Sequence, residues 1–116
     1  MPTQADSNAE TVDMVAVAEA VAQTYLPRVA ETRHTGSSWT ISLPWLPRIE
    51  EVLSDASVSD QQKARLQELR KDSEVWVLVP LACIGAAHGL LRGVVDRVQP
   101  WWYDGKRVQF GTARIP

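Results

Sequence analysis

Cysteine is nearly absent from this sequence, and its scarcity limits the chemistry that the chain can carry. Cys83 is the one cysteine among 116 residues, so no disulfide can form within the chain. Because Cys83 lies among Leu81, Ala82 and Ile84, we expect a buried and unreactive thiol. One unpaired cysteine suits a reducing compartment, and we therefore predict a cytoplasmic protein.

Ligands for a metal are equally scarce. His34 and His88 have no partners at a metal-ligand spacing, and Cys83 lies five residues before His88. Because a structural zinc site needs four ligands, we predict no metal and no other cofactor. On a helix, positions five apart point in different directions, which argues against a Cys83–His88 nucleophilic pair. We expect His88 to be a hydrogen-bonded histidine of the core.

The sequence also lacks catalytic motifs. It contains neither a G-x-S-x-G nucleophile turn nor a glycine-rich phosphate loop. Asp96 and Asp104 fit a helix-surface charge and a turn residue better than a catalytic pair of carboxylates. We therefore predict a non-enzymatic protein without catalytic residues, because an enzyme would need an active site assembled from scattered positions.

Charge is low overall but unevenly placed. The net charge is −2. Residues 1–60 carry three basic and nine acidic side chains, whereas residues 61–116 carry nine basic and five acidic ones. This asymmetry favours head-to-tail association or an anionic partner for the C-terminal half. The first ten residues are polar and acidic, which predicts no secretory signal.

Helical signals occupy much of the N-terminal half. Ser7 and Glu10 have the spacing of a capping box, and apolar residues follow at helical spacing. They predict a flexible arm over residues 1–8 and a helix over 9–26, with an alternative in which it continues past Pro27.

Three shorter elements are also indicated between the first helix and the centre of the chain. Alternating apolar and polar residues predict a short strand over 39–43. Pro47 predicts the first turn of a short helix, because its missing N–H costs nothing there. A second capping box, Ser59 with Gln62, predicts a helix over 60–71.

The densest apolar run extends from Glu74 to Val98. Its β-branched start indicates a strand that ends at Pro80, but one kinked helix from Ser73 to Gln99 fits equally well, because periodicity cannot separate the two in so apolar a run. We favour the long helix, closed by Pro100. The predicted fold is mainly α: a small helical bundle around a central apolar helix over 80–98.

The C-terminal part completes this prediction. Asp104-Gly105 between aromatic and apolar flanks predicts a β-hairpin. The helices and the hairpin form one domain over residues 9–110, and residues 111–116 form an exposed tail.

Glycines and aromatic residues indicate a contact surface. Gly85, Gly89 and Gly93 are spaced four apart, which places them on one face of the predicted helix and lets another helix pack closely, in the same chain or in a neighbouring subunit. Neighbouring residues on a strand point to opposite sides, so the hairpin cannot bury all of its aromatic residues in one core. The predicted interface consists of Gly85, Gly89, Gly93, Trp101, Trp102 and Tyr103.

These features predict a small assembly or interaction module, a structural subunit of a homo-oligomer or of a larger protein particle. Its partner would be itself or another protein. The first alternative is a small regulatory nucleic-acid-binding protein that uses the basic C-terminal half, with Arg65, Arg70, Lys71, Lys106 and Arg107. The second is a single-span membrane protein, although residues 75–91 are barely long enough and contain His88 and Pro80.

Overall fold

The computed structural model describes residues 14–35, 38–55 and 58–116. Within these residues, six strands form one mixed sheet and three α-helices pack against it. The prediction of a mainly α helical bundle is therefore wrong, and the protein has an α/β fold. In chain order the elements are α1 Met14–Gln23, β1 Glu31–Thr35, β2 Ser38–Leu43, β3 Arg48–Val52, α2 Asp60–Arg70, β4 Glu74–Pro80, a 3₁₀ turn Leu81–Cys83, α3 Ile84–Leu90, β5 Arg97–Tyr103 and β6 Val108–Phe110.

The order of the strands across the sheet is their order in the chain, from β1 to β6. The first three strands form an antiparallel meander, β3, β4 and β5 run parallel, and β6 returns antiparallel to β5. Parallel neighbours need a crossover connection, and α2 and α3 lie in the two crossovers. Both of these helices pack on one face of the sheet, and α1 packs on the other.

Strand β4 is the centre of the core because both of its faces are buried. Val75, Val77 and Val79 pack beneath α2 and α3, whereas Leu78 packs on the opposite face with α1. A parallel strand covered on both faces has no polar side, so its sequence is a nearly continuous apolar run.

The predicted helix from Ser73 to Gln99 is wrong, and the alternative of a strand ending at Pro80 is correct. Residues Glu74–Pro80 form β4, and the helical part shrinks to the seven residues of α3. Pairing with strands on both sides stabilises the β-branched residues in an extended conformation.

Two expectations about prolines also fail. The segment after Pro47 is strand β3 and not a helix, because β2 and β4 both pair with it. Pro100 does not close a helix, since it lies within β5 and pairs with Val79 of β4.

Three local predictions are confirmed. Strand β2 covers the predicted residues 39–43. The Ser59 side chain accepts a hydrogen bond from the Gln62 backbone, and the Gln62 side chain accepts one from the Ser59 backbone, which completes the capping box of α2. The hairpin of β5 and β6 turns at Asp104 and at Gly105, whose φ of +97° favours glycine.

The remaining predictions concern the two ends of the chain. The arm over 1–8 and the first capping box lie outside the described residues. Of the described part of the helix predicted over 9–26, α1 confirms Met14–Gln23, whereas residues 24–26 form a turn. After α1 the chain turns into β1 and does not continue as a helix past Pro27. Residues 111–116 run beside β5, where Arg114 and Val98 exchange two backbone hydrogen bonds of 2.9 and 2.8 Å.

Candidate functional site

A cavity of about 240 Å³ lies between the C-terminal end of α1 and the sheet. Strands β3, β4 and β5 supply its floor, and α1 and β6 supply its walls. The lining combines apolar surface with one cation, one carboxyl group and several neutral polar groups. Its residues are Val21, Thr24, Tyr25, Arg48, Glu50, Trp76, Leu78, Gln99 and Phe110.

Strand alternation explains why these residues meet. Side chains two positions apart on a strand lie on the same face, so Arg48 and Glu50 of β3 both point towards α1. Trp76 of β4 is the register partner of Glu50, and Gln99 of β5 is the partner of Leu78. Three neighbouring strands therefore contribute polar or aromatic groups to one cavity, and Tyr25 and Phe110 add to them from the walls.

Glu50 is the buried acid of the site, with 2% of its surface exposed. The Tyr25 hydroxyl donates a hydrogen bond to its Oε2. Burial raises the pKa of Glu50 above the ordinary 4.5 and the nearby Glu74 raises it further, whereas the hydrogen bond from Tyr25 and the charge of Arg48 act in the opposite direction. Burial, and then the contact with Glu50, also raise the pKa of Tyr25.

Arg48 is the cation of the site, and one aromatic ring and two carboxyl groups fix its position. Its guanidinium carbon lies 4.2 Å from the centre of the Trp76 ring, a cation–π contact. Its Nη1 is 3.8 Å from Glu50 Oε2, and its Nε is 3.5 Å from Glu74 Oε1. Nε is buried and has no hydrogen-bond partner among the described residues.

The Trp76 ring is itself held in place. Its Nε1 donates a hydrogen bond of 2.9 Å to Glu74 Oε1. Glu74 thus contacts both the indole and the guanidinium that stacks on it, which orients Arg48 beside the cavity. Such an arrangement can donate hydrogen bonds from a fixed cation and can exchange a proton at a carboxyl group with a raised pKa.

A second buried acid, Glu51, lies on the other face of the sheet and has a different environment. Its side chain is 0% exposed and accepts hydrogen bonds from Ser38 and Thr40. Arg65 of α2 completes the group, with its Nη2 2.5 Å from Glu51 Oε1. These contacts attach α2 to the sheet, so we assign Glu51 a structural role.

The structure places the predicted interface glycines at the outer side of α3 and just beyond it. Gly85 and Gly89 are exposed, and a Cβ built on either would meet no atom of the described residues within 4 Å, apart from the backbone of α3 itself. The alternative of close packing within the chain therefore has no support. Gly93 lies after the end of α3 with a φ of +76°, so the three glycines do not share one helix face.

The predicted aromatic interface residues have three different environments. Trp101 is buried, and its Nε1 donates a hydrogen bond of 3.3 Å to the Leu53 carbonyl. Trp102 is partly buried and Tyr103 is exposed. Their contact with a partner remains a prediction.

The predicted nucleic-acid residues lie on two elements. Three belong to α2 and its C-terminal cap, where each is in an ion pair: Arg65 with Glu51, Arg70 with Asp96 and Lys71 with Glu68. Lys106 and Arg107 lie in the β5–β6 turn, where their backbone N–H groups donate to Asp104. Nucleic-acid binding remains a prediction.

The described residues also bear on the metal and membrane expectations. They contain no group of three or more histidine, cysteine or acidic side chains placed to hold a metal ion. In that same part of the chain, no helix has the length and apolar character needed to cross a membrane.

None of the cavity residues was predicted from the sequence. The signal that could have indicated them is the segment Arg48–Val52, in which two adjacent glutamates lie between apolar residues. Read as a strand, this pattern must place one glutamate on each face, and in a central strand both faces are buried. No family model, curated protein or solved structure matches this chain, so its function must be argued from the site itself.

Proposed function

We propose that the protein binds a small organic molecule in the cavity between α1 and the sheet. The observation that carries the proposal is Arg48, which is held on Trp76 beside the cavity. Its buried Nε has no hydrogen-bond partner among the described residues and lies 3.5 Å from Glu74 Oε1. A buried donor without a hydrogen bond costs up to about 1–3 kcal/mol, and the ion pair with Glu74 offsets part of this cost. A ligand acceptor that forms the missing hydrogen bond would recover the remainder.

The lining of the cavity supports the same proposal. Small-molecule sites are concave and largely apolar, with a few polar groups that fix the orientation of the ligand. Val21, Leu78 and Phe110 supply the apolar surface, and Arg48 and Glu50 supply the polar groups. An acid with a perturbed pKa in a cleft is a frequent property of functional sites.

A fragment screen observed by protein NMR tests this proposal. Fragments of one or two rings should shift the resonances of Thr24, Trp76 and Gln99, and Arg48→Met should abolish these shifts. Arg28→Met is the matched control, because Arg28 also stacks on a tryptophan but does not line the cavity. Shifts that persist in Arg48→Met, or that occur only elsewhere on the protein, would contradict the proposal.

A second candidate function is self-association, favoured by the outer side of the segment 81–90. Its exposed residues are uncharged and mostly apolar or small: Leu81, Ala82, Gly85, Ala86, Gly89 and Leu90. We propose a second copy of the chain as the partner. In a two-fold contact each side chain meets the same patch on its partner, so a patch without charge avoids repulsion from its own copy.

Light scattering on the size-exclusion peak tests the association. The protein should elute as a discrete oligomer, and Ala86→Glu should convert it to a monomer, because two like charges would face each other. Ala64→Glu provides the control, since Ala64 is also exposed but lies on α2. A wild-type monomer, or an oligomer that survives Ala86→Glu, would argue against this candidate.

We also propose a cytoplasmic location. The support is the lone Cys83, a free thiol that is stable in a reducing compartment. Fractionation of the source cells tests the proposal, and recovery outside the cytoplasmic fraction would contradict it.

A further inference from the structure

The charges around the cavity disfavour a ligand that carries a net charge. One guanidinium, Arg48, lies between two carboxyl groups, those of Glu50 and Glu74. A cationic ligand would approach Arg48, and an anionic ligand would approach Glu50. Because a buried charge next to a like charge is costly, an uncharged ligand fits this balance best.

The polar groups specify what the ligand should present. Arg48 can only donate hydrogen bonds, whereas the carboxyl oxygens of Glu50 can accept them. The two groups are adjacent, with 3.8 Å between Arg48 Nη1 and Glu50 Oε2. Gln99 uses its Nε2 to donate to the Gly111 carbonyl at 2.8 Å, which leaves its Oε1 as a further acceptor. A ligand that carries an acceptor next to a donor complements this arrangement.

The size and walls of the cavity limit the body of the ligand. About 240 Å³ is smaller than the roughly 300–1,000 Å³ of sites for drug-sized molecules. Leu78 forms part of the floor, and Val21 and Phe110 supply apolar walls. A single planar ring suits this space better than a flexible chain, because it loses less conformational entropy on binding.

We infer that the ligand is an uncharged planar ring with an amide-like edge, in which a carbonyl or ring nitrogen acceptor lies beside an N–H donor. Aromatic carboxamides and pyrimidine bases belong to this chemical class. The ligand acceptor pairs with Arg48, and the ligand donor pairs with Glu50. This inference rests on the proposed function, since it specifies the ligand of the same cavity.

Three probes of matched size test the inference: benzamide, benzoate and benzamidine. They share one ring, but benzamide is neutral, benzoate is an anion and benzamidine is a cation. Titrations of the full chain, followed by NMR at the Trp76 indole and the Gln99 side chain, should give benzamide an affinity about tenfold or more above that of each charged probe. Arg48→Met should abolish the shifts caused by benzamide, and Arg28→Met should leave them unchanged.

The outcomes separate the inference from the proposed function. If benzoate or benzamidine binds in the cavity as tightly as benzamide, the ligand class is wrong and the binding function stands. The same conclusion holds if other fragments bind there and benzamide does not. If no fragment shifts the cavity resonances, the proposed function fails and the inference fails with it.

Discussion

Removal of the cation that pairs with Glu51 provides a direct test of how the fold is held together. In Arg65→Met the apolar stem of the side chain is retained, while the charge that neutralises Glu51 is lost. Glu51 is 0% exposed, so its charge is stabilised in the folded protein by neighbouring side chains and not by bulk water. Of its partners among the described residues, the hydroxyl groups of Ser38 and Thr40 remain.

The expected cost follows from this geometry. Removing one partner of a buried ion pair destabilises proteins by about 3–5 kcal/mol. Arg65 itself is 35% exposed and the two hydroxyl groups stay in place. The loss of stability should therefore be about 2–3 kcal/mol, at or below the lower end of that range. For a chain of this size, that free energy corresponds to a decrease in Tm of about 10 °C.

Urea denaturation followed by tryptophan fluorescence measures this loss, with two further variants as controls. Lys71→Met removes a cation from an exposed ion pair, since Lys71 is 69% and Glu68 is 72% exposed. This variant should lose less than about 0.5 kcal/mol of stability. Glu51→Gln in the Arg65→Met background should recover part of the stability, because it removes the uncompensated charge. The reasoning is refuted if Arg65→Met costs no more than Lys71→Met, or if Glu51→Gln restores nothing.

Two further predictions concern pH and the glycines. Burial raises the pKa of Glu50 above 4.5, so the folded state binds the proton of this carboxyl group more tightly than the unfolded state does. The protonated carboxyl group therefore contributes its full stabilisation of the fold below pH 4.5, and this stabilisation is lost as the pH rises through the raised pKa. Glu50→Gln should therefore gain stability relative to the wild type between pH 4 and pH 8, and urea midpoints that shift in parallel would contradict this. Gly111→Ala should lower the free energy of unfolding by about 1–3 kcal/mol, because its Cβ would lie 2.7 Å from Pro100 Cγ. Gly85→Ala should raise the free energy of unfolding by about 0.5–1 kcal/mol, because alanine favours the helix and its Cβ has space at this position of α3. Thermal melts of both variants check the difference, and equal effects would show that the contact at Gly111 relaxes freely.

The elements that could be predicted are those whose signals are local. The capping box at Ser59 needs only residues three positions apart, and the Asp104-Gly105 turn needs only two adjacent ones. Their hydrogen bonds form within the segment itself, so the sequence of that segment is sufficient to predict them.

The central segment could not be assigned because its environment is not local. Val75–Val79 is buried on both faces, which removes the alternation that distinguishes a strand from a helix. The segment forms a strand because it pairs with β3 and β5, which lie about twenty residues away on either side in the sequence. In the same way, Ile49 and Val52 have helical spacing, although they lie on opposite faces of a strand.

The candidate site was missed for a related reason. Tyr25, Arg48, Glu50, Trp76 and Gln99 belong to four segments separated by more than twenty residues, apart from the pair on β3. No spacing between them is fixed until the sheet has formed. Sequence reasoning also assigns glutamate to the surface, as is usual for that residue type, whereas Glu50 and Glu51 are both buried.

The agreement between strand order and chain order has a consequence for how the sheet is built. No later strand must be inserted between two that are already paired, so the sheet can extend at one edge while the chain is being synthesised. Strands β4 and β5 are each added with the helix that precedes them, which covers the newly formed surface. Extension ends at β6, whose three residues offer too short an edge for another strand, and the opposite edge, β1, carries the charges of Glu31 and Arg33. Both edges thus resist the edge-to-edge pairing that leads to aggregation.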